Sequence, residues 1–250
     1  MLSEPPRTQA DLHFSLAGIP VRVHPMFWVI SLLMGTRSDT PPVFTLIWMG
    51  AVFVCILLHE LGHAAVMGWF GFSPRIVLHG FGGLATYGPG NRLGRRLGPA
   101  DEILIDLAGP AAGFLLAAVL FAILRSGGFG EVVLVDPLGA GVRVLPFVVL
   151  PQHLYLMVFL NNVFYVSVFW GLINLLPVFP LDGGQIAQQL GSLGSRDSYR
   201  QTFVLSFLVA VGMAALALLR WNDWYVALLF GYLAFLNYSM LQRYQGGEPW

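Results

Sequence analysis

The chain contains no lysine and one cysteine, and only 10% of its 250 residues are charged. The shortages of cysteine and of charge each exclude something. A single cysteine, Cys55, allows neither an internal disulfide nor a cysteine-based zinc site. It lies in an apolar run and reads as a buried structural thiol. Thirteen acidic residues balance thirteen arginines, and zero net charge with an isoelectric point near 7.0 argues against nucleic acid as a partner. No P-loop or dinucleotide fingerprint accompanies the 29 glycines, so no nucleotide is expected. The opening residues, MLSEPPRTQADLHF, lack the charged-then-apolar build of a cleavable signal peptide. With 56% hydrophobic residues and a mean hydropathy of +0.71, too little charge remains to cover a soluble core of this size. Composition alone therefore predicts an integral membrane protein, with lipid as a partner.

Against that apolar background stands His59-Glu60-Leu61-Gly62-His63, an H-E-x-x-H pattern. On a helix, residues i and i+4 share a face, so both imidazoles can reach one metal ion. The glutamate between them can then serve as base for the water such an ion activates. The setting is unusual, because Pro41 to Leu58 carries no charge. From Val43 to His59 the chain advances 16 residues, about 24 Å of helix. The motif is thus expected toward one face of a membrane rather than at its centre.

Residues 1–12 read as a polar lead, and His13 to Val23 as a short strand or hairpin beside the membrane. Pro25 to Thr36 is a short first apolar run, which reaches a span's ~17–25 residues only if Ile19 to Val23 is added. The second span runs from Val43 to about Phe70. Ser73 to Gly88, with β-branched and aromatic residues broken by glycine, reads as a hairpin on the membrane surface. Pro99-Ala100-Asp101-Glu102 is a helix start with acids in its first turn, opening a third span over Ile103 to Leu124. Within it, Gly109 and Gly113 stand four apart and suit close helix contact, while Asp106, near the start, is expected to take an interfacial or capping role. Arg125 to Arg143 reads as a Gly-rich loop. Pro146 and Pro151 mark an interfacial or re-entrant approach to a fourth span, Leu154 to Leu176. Thr202–Leu219 and Tyr225–Leu241 close the chain, joined by a tight turn at Trp221 to Trp224. The expected fold is an all-α polytopic membrane protein with about six transmembrane helices and a small membrane-associated β-hairpin or sheet near the site. It is expected to form a single domain over 1–250, with a catalytic core at about 43–184 and closing helices at 202–241.

The segment Asn174 to Gly184, NLLPVFPLDGG, cannot be regular helix, because Pro177 and Pro180 remove donors and push the preceding residues extended. Irregular backbone at membrane depth is tolerated only where it lines a protein-buried or watery cavity, so Asp182 falls where a polar pocket is expected. With six spans and a cytosolic N-terminus, nine arginines lie on inner segments and four on outer ones, in line with the positive-inside rule. Both termini are then cytosolic, and His59, His63 and Asp182 share the inner side. A catalytic zinc takes three protein ligands. His13, His24 and His79 fall in surface segments and His153 at the outer end of the fourth span, which leaves Asp182 to complete the set. The rival reading is a metal transporter or channel using the same His/His/Asp site. Against it, Glu60 is surplus to three ligands and no inverted repeat is visible.

With H-E-L-G-H on one span and Asn174, Pro177, Pro180, Leu181, Asp182, Gly183 and Gly184 on a later one, the chain resembles the site-2 protease family of intramembrane zinc metalloproteases. The resemblance covers roughly residues 13–241. Gly109-Pro110 matches that family's Gly-Pro pair in the intervening span; where an asparagine often follows, this chain has Gly113. The resemblance implies a three-helix core made of spans two to four in the cell membrane, opening to the cytosolic side. It implies one zinc ion per chain on His59, His63 and Asp182, with Glu60 as base and Asn174 as hydrogen-bond donor to substrate or oxyanion. The implied substrate is a transmembrane protein or peptide, cut within or near the bilayer. By the same analogy Ile76 to Tyr87, with Ile76, Val77, Leu78, Gly82 and Gly83, would hold the unwound substrate by strand addition. Many such relatives carry a PDZ or CBS domain; with no room for either, the chain is expected to be a minimal form.

Overall fold

An uncharged run such as residues 43–58 has little choice but helix in lipid, where every backbone N–H and C=O must be paired within the segment. The computed structural model describes residues 4–36, 41–88, 96–127, 131–135, 145–194 and 197–246. In it that run becomes α2, Pro42–Trp69, with proline at the first helical position, where its missing N–H is lost to no partner. Five helices among the described residues are long and apolar enough to cross a membrane. They are α2, α3 (Pro99–Gly127), α4 (Leu154–Asn174), α6 (Ser198–Leu216, continued by a π-helical turn to Trp221) and α7 (Trp224–Gly246). The chain forms two compact units, one of Glu4–Gly94 and Ala108–Leu172, the other of Arg95–Leu107 and Ile173–Trp250.

In the first unit, β1 (Leu12–Leu16), β2 (Ile19–Val23), β3 (Pro74–His79) and β4 (Gly82–Tyr87) make one mixed sheet in that order. The two expected hairpins both form, and a parallel β2–β3 pairing joins them into a single sheet. Val21, Val23, Ile76 and Leu78 pack with Ala51, Cys55 and Ile56 of α2 in one core, where Cys55 is the buried thiol expected of it. On the sheet's polar side, Arg22 donates to Asp11 and to the Pro5 carbonyl, each at 3.0 Å, and Arg75 pairs with Glu4 at 2.7 Å. These contacts strap the polar lead across the strands.

The first apolar run departs from expectation. Helix α1, Pro25–Gly35, has 11 residues, about 16 Å against a hydrocarbon core of ~30 Å. Ile19–Val23 cannot lengthen it, because those residues are β2. Instead His24 ends the strand, donates its N–H to the Leu78 carbonyl at 2.8 Å, and caps α1 by accepting the Met26 N–H at its Nδ1. At the far end, the Thr45 hydroxyl donates to the Gly35 carbonyl. Helix and sheet together therefore run beside α2 from Thr45 toward the H-E-x-x-H, and the sheet supplies the length that α1 lacks.

Two further corrections concern loops and caps. The segment expected as a Gly-rich loop contains β5 (Glu131–Val135), paired with β6 (Leu145–Val149); its valines suit a strand. The Asn161 side chain docks this hairpin on α4, accepting the Val148 N–H at 2.7 Å and donating to the Val148 carbonyl at 3.0 Å. Residues 136–144, with Arg143, lie outside the described residues. At the start of α3, Asp101 accepts the Gly98 N–H at 3.0 Å, so capping, one of the two roles expected of Asp106, falls to Asp101; Asp106 is buried farther in.

The second unit packs α5 (Asp182–Ser192), α6 and α7, with an apolar cluster of Val178, Ala210, Phe230, Leu233 and Ala234. Asp223 closes the α6–α7 turn by accepting the N–H groups of Tyr225 and Val226.

Candidate metal centre

Helical spacing puts His59 and His63 on one face of α2, and both are buried along with Glu60, at 3%, 6% and 4% exposure. Their Nε2 atoms are 3.1 Å apart. Two nitrogens each 2.0–2.1 Å from a tetrahedral zinc would stand about 3.3 Å apart, so the pair is spaced for an ion to within a few tenths of an ångström. One ligand atom from each of His59, Glu60 and His63 lies within 4.8 Å of the others. Five consecutive residues thus supply two imidazole nitrogens and a carboxylate.

Three glycines clear the space around them. A Cβ on Gly109 of α3 would meet the Nε2 atoms of both His63 and His59. A Cβ on Gly62 would strike the Ala108 carbonyl, and would lie 2.8 Å from Ala112 Cβ, so α2 and α3 approach backbone to backbone. A Cβ on Gly83 of β4 would fall on the Glu60 side chain. Donor set, spacing and clearance all fit a zinc ion.

The β3–β4 hairpin reaches the motif because its tip is wedged between helices. Gly80 abuts Ile30 of α1, and Gly82, at φ +120°, abuts Trp170 of α4. A side chain at Gly82 would be strained as well as crowded. The clamp expected over Ile76 to Tyr87 narrows accordingly. Ile76, Val77 and Leu78 are almost wholly buried in β3 and paired on both sides, so they support the sheet and present no edge. Among the described residues the edge beside Glu60 is β4, which carries Gly82 and Gly83.

His79 sits at the hairpin turn, where its Nδ1 accepts the Phe81 N–H at 3.3 Å. Burial, with His24 and Arg22 nearby, lowers its pKa below the ordinary 6.5. A histidine depressed in the folded state contributes stability that is full above the unfolded value and declines as pH falls below it. Hydrogen exchange at Phe81 to Gly83 should therefore quicken, relative to its intrinsic rate, between pH 7 and 5. In a His79→Asn variant, which keeps an acceptor that does not titrate, this extra change should vanish.

The structure places Asn174 and Asp182 in the second unit. Asn174 is the last residue of α4 and Asp182 the first of α5, where a helix N-terminus favours negative charge; both are buried. Between them the chain is irregular, as the prolines require, and the Phe179–Pro180 bond is cis. A Cβ on Gly183 would meet the Leu175 carbonyl, and one on Gly184 the Phe179 amide nitrogen. The loop folds back onto the first turn of α5 with no side chain between, which is why two glycines follow Asp182. Two residues that hold this loop, Ser206 and Asn237, belong to no motif; their only sequence signal is a polar side chain within an apolar span.

A family model described as Peptidase family M50 matches residues 47–219. The chain belongs to peptidase family M50. It is 26% identical over 208 residues to a zinc metalloprotease of Methanocaldococcus jannaschii, covering 82% of this chain and 52% of that one. It is 31% identical over 189 residues to Rip3 of Mycobacterium tuberculosis, covering 69% and 41%. With stage IV sporulation protein FB of Bacillus subtilis it shares 26% over 171 residues, 67% of this chain and 46% of that one. The chain thus spans about half the length of the curated relatives it matches. The solved site-2 protease from Methanocaldococcus jannaschii has the same fold, with a TM-score of 0.52 and 23% identity over 92% of this chain and 95% of that one. Five apolar helices and M50 membership make the chain a multi-pass membrane protein.

Proposed function

We propose that this M50 chain is an intramembrane zinc metalloprotease, hydrolysing a peptide bond within or near the transmembrane segment of a membrane-protein substrate. The observation that carries this reading is the contact between Gly83 and Glu60, which brings an edge strand to the acid of a buried H-E-x-x-H. Base and binding edge then meet at one point. A strand that adds to β4 through backbone hydrogen bonds would lay its carbonyls beside the histidine pair. A helical substrate hides those carbonyls in its own hydrogen bonds, so pairing with β4 would also hold it unwound.

His59 and His63, with Asp182 as the third ligand, would hold the zinc, and Glu60 remains as the group that is not a ligand. When bound, zinc supplies a Lewis acid that acidifies water and polarises a carbonyl. Glu60 accepts the water's proton and delivers it to the leaving amine. Asn174 serves as a hydrogen-bond donor to the substrate carbonyl as it gains charge. Counting α1 with its sheet as a crossing beside the five long helices, the arginine balance supports an arrangement with both termini and the site toward the cytosol.

Stripping the metal tests this reading. A chelator should abolish cleavage of a membrane-spanning peptide by the detergent-solubilised chain, and one equivalent of zinc should restore it while magnesium does not. Undiminished cleavage after verified metal removal would exclude the mechanism. An intact peptide alongside zinc passage into proteoliposomes would exclude the protease.

A further inference from the structure

Two helices outside every motif grip the loop that carries Asp182. The Phe179 N–H donates to the Ser206 hydroxyl of α6 at 2.8 Å, and the Phe179 carbonyl accepts from the Asn237 amide of α7 at 2.6 Å. Ser206 and Asn237 are both 0% exposed. Asn237 spends its other amide hydrogen on the Leu233 carbonyl at 2.8 Å, one turn back in α7, which fixes the orientation of the amide. Phe179 stands three residues before Asp182, and Gly184 packs against its backbone.

Apolar contacts already dock this loop, because Val178 belongs to the cluster of Ala210, Phe230 and Leu233. Such contacts are non-directional and tolerate small rotations. The two hydrogen bonds do not, since they seize the peptide planes on either side of the Phe179 Cα and so set its φ and ψ. Those angles aim the chain into α5, and Asp182 is its first residue. Both partners are wholly buried, so removing either leaves a backbone group of Phe179 without the hydrogen bond that holds it.

We infer that Ser206 and Asn237 are positioning residues, which fix the Phe179 backbone so that Asp182 presents its carboxylate to the metal at one place. The inference rests on the reading of Asp182 as the third zinc ligand. Groups that orient a ligand typically account for about 10–100-fold in metal affinity.

The test uses the full chain in detergent, with zinc affinity measured by chelator competition and the visible band of bound cobalt(II) as a report of ligand geometry. Ser206→Ala and Asn237→Leu should each weaken zinc binding about 10-fold and alter the cobalt band per bound ion. Ser206→Thr, which keeps the hydroxyl, should restore both. Asp182→Asn is the reference and should do more damage than either. If Asp182→Asn alters affinity and band while the Ser206 and Asn237 variants match the parent, the positioning role is wrong and the ligand reading stands. If the variants lose binding only in proportion to unfolded protein, with an unchanged band per bound ion, their role is structural and the inference is overturned. If Asp182→Asn changes nothing, the ligand reading falls and takes the inference with it.

Discussion

A Glu60→Gln protein should keep its zinc and lose cleavage by about 10²–10⁴-fold, the usual worth of a positioned acid–base group. The substitution removes a charge and a proton acceptor while preserving shape, which matters where Gly83 leaves the side chain no spare room. The measurement pairs metal content with the rate of peptide cleavage, and the two together separate two roles for one carboxylate. Glu60 lies with His59 and His63 in a cluster that could itself ligate an ion. If zinc leaves along with activity, Glu60 is a ligand and the base must be sought elsewhere. If zinc stays and cleavage stops, Glu60 moves the proton. Activity near the parent level would remove it from the chemistry altogether.

Gly109→Ala should release the metal, with affinity falling by on the order of 100-fold or more, at least the worth of a typical supporting contact. This runs against local energetics, because alanine inside a helix is favoured over glycine by roughly 0.5–1 kcal/mol. At this position the added methyl would occupy the point toward which both imidazole Nε2 atoms turn. The imidazoles are fixed on α2 and Gly109 on α3, and these helices already touch backbone to backbone at Gly62 and Ala108, so neither can retreat. Gly50→Ala on α2 is the matched control, since nothing lies within 4 Å of its added carbon. It should bind zinc like the parent. The check is zinc affinity measured by chelator competition for both variants. Equal affinities would mean that α3 does not confine the histidines.

The metal-binding pattern and most of the spans were legible in the sequence because they are local. Two histidines four apart declare a shared helical face, and prolines at 177 and 180 forbid regular helix wherever the segment lies. The helix ends at Asn174 and α5 begins at Asp182, close to where those residues put the break. Apart from β5, read as loop although its valines suit a strand, the misreadings concern what approaches what. Ile76 to Leu78 and Gly82 to Gly83 both read as strand, but only tertiary pairing decides which strand is central and which is the edge. The first apolar run reads as a deficient span until β2 and β3 are seen to make up the distance beside α2. Gly109 and Gly113 read alike as contact glycines, yet one faces imidazole nitrogens and the other the Ser167 carbonyl. Ser206 and Asn237 gave no periodic signal at all, because each serves a single peptide rather than a face.

The crowding at Gly62, Gly83 and Gly109 has a consequence for how this protein can vary. Residues that meet a reactive group through a side chain can usually be exchanged for others of similar chemistry, and the exchange tunes function by degrees. Here the neighbours of His59, Glu60 and His63 include positions with nothing to exchange, and any replacement intrudes. If β4 holds the substrate as proposed, divergence in selectivity would be written at a distance, along that strand beyond Gly83 and on the outward faces of the helices. The centre itself would stay chemically mute to sequence drift, and its outline could be drawn from the glycines that tolerate no substitution.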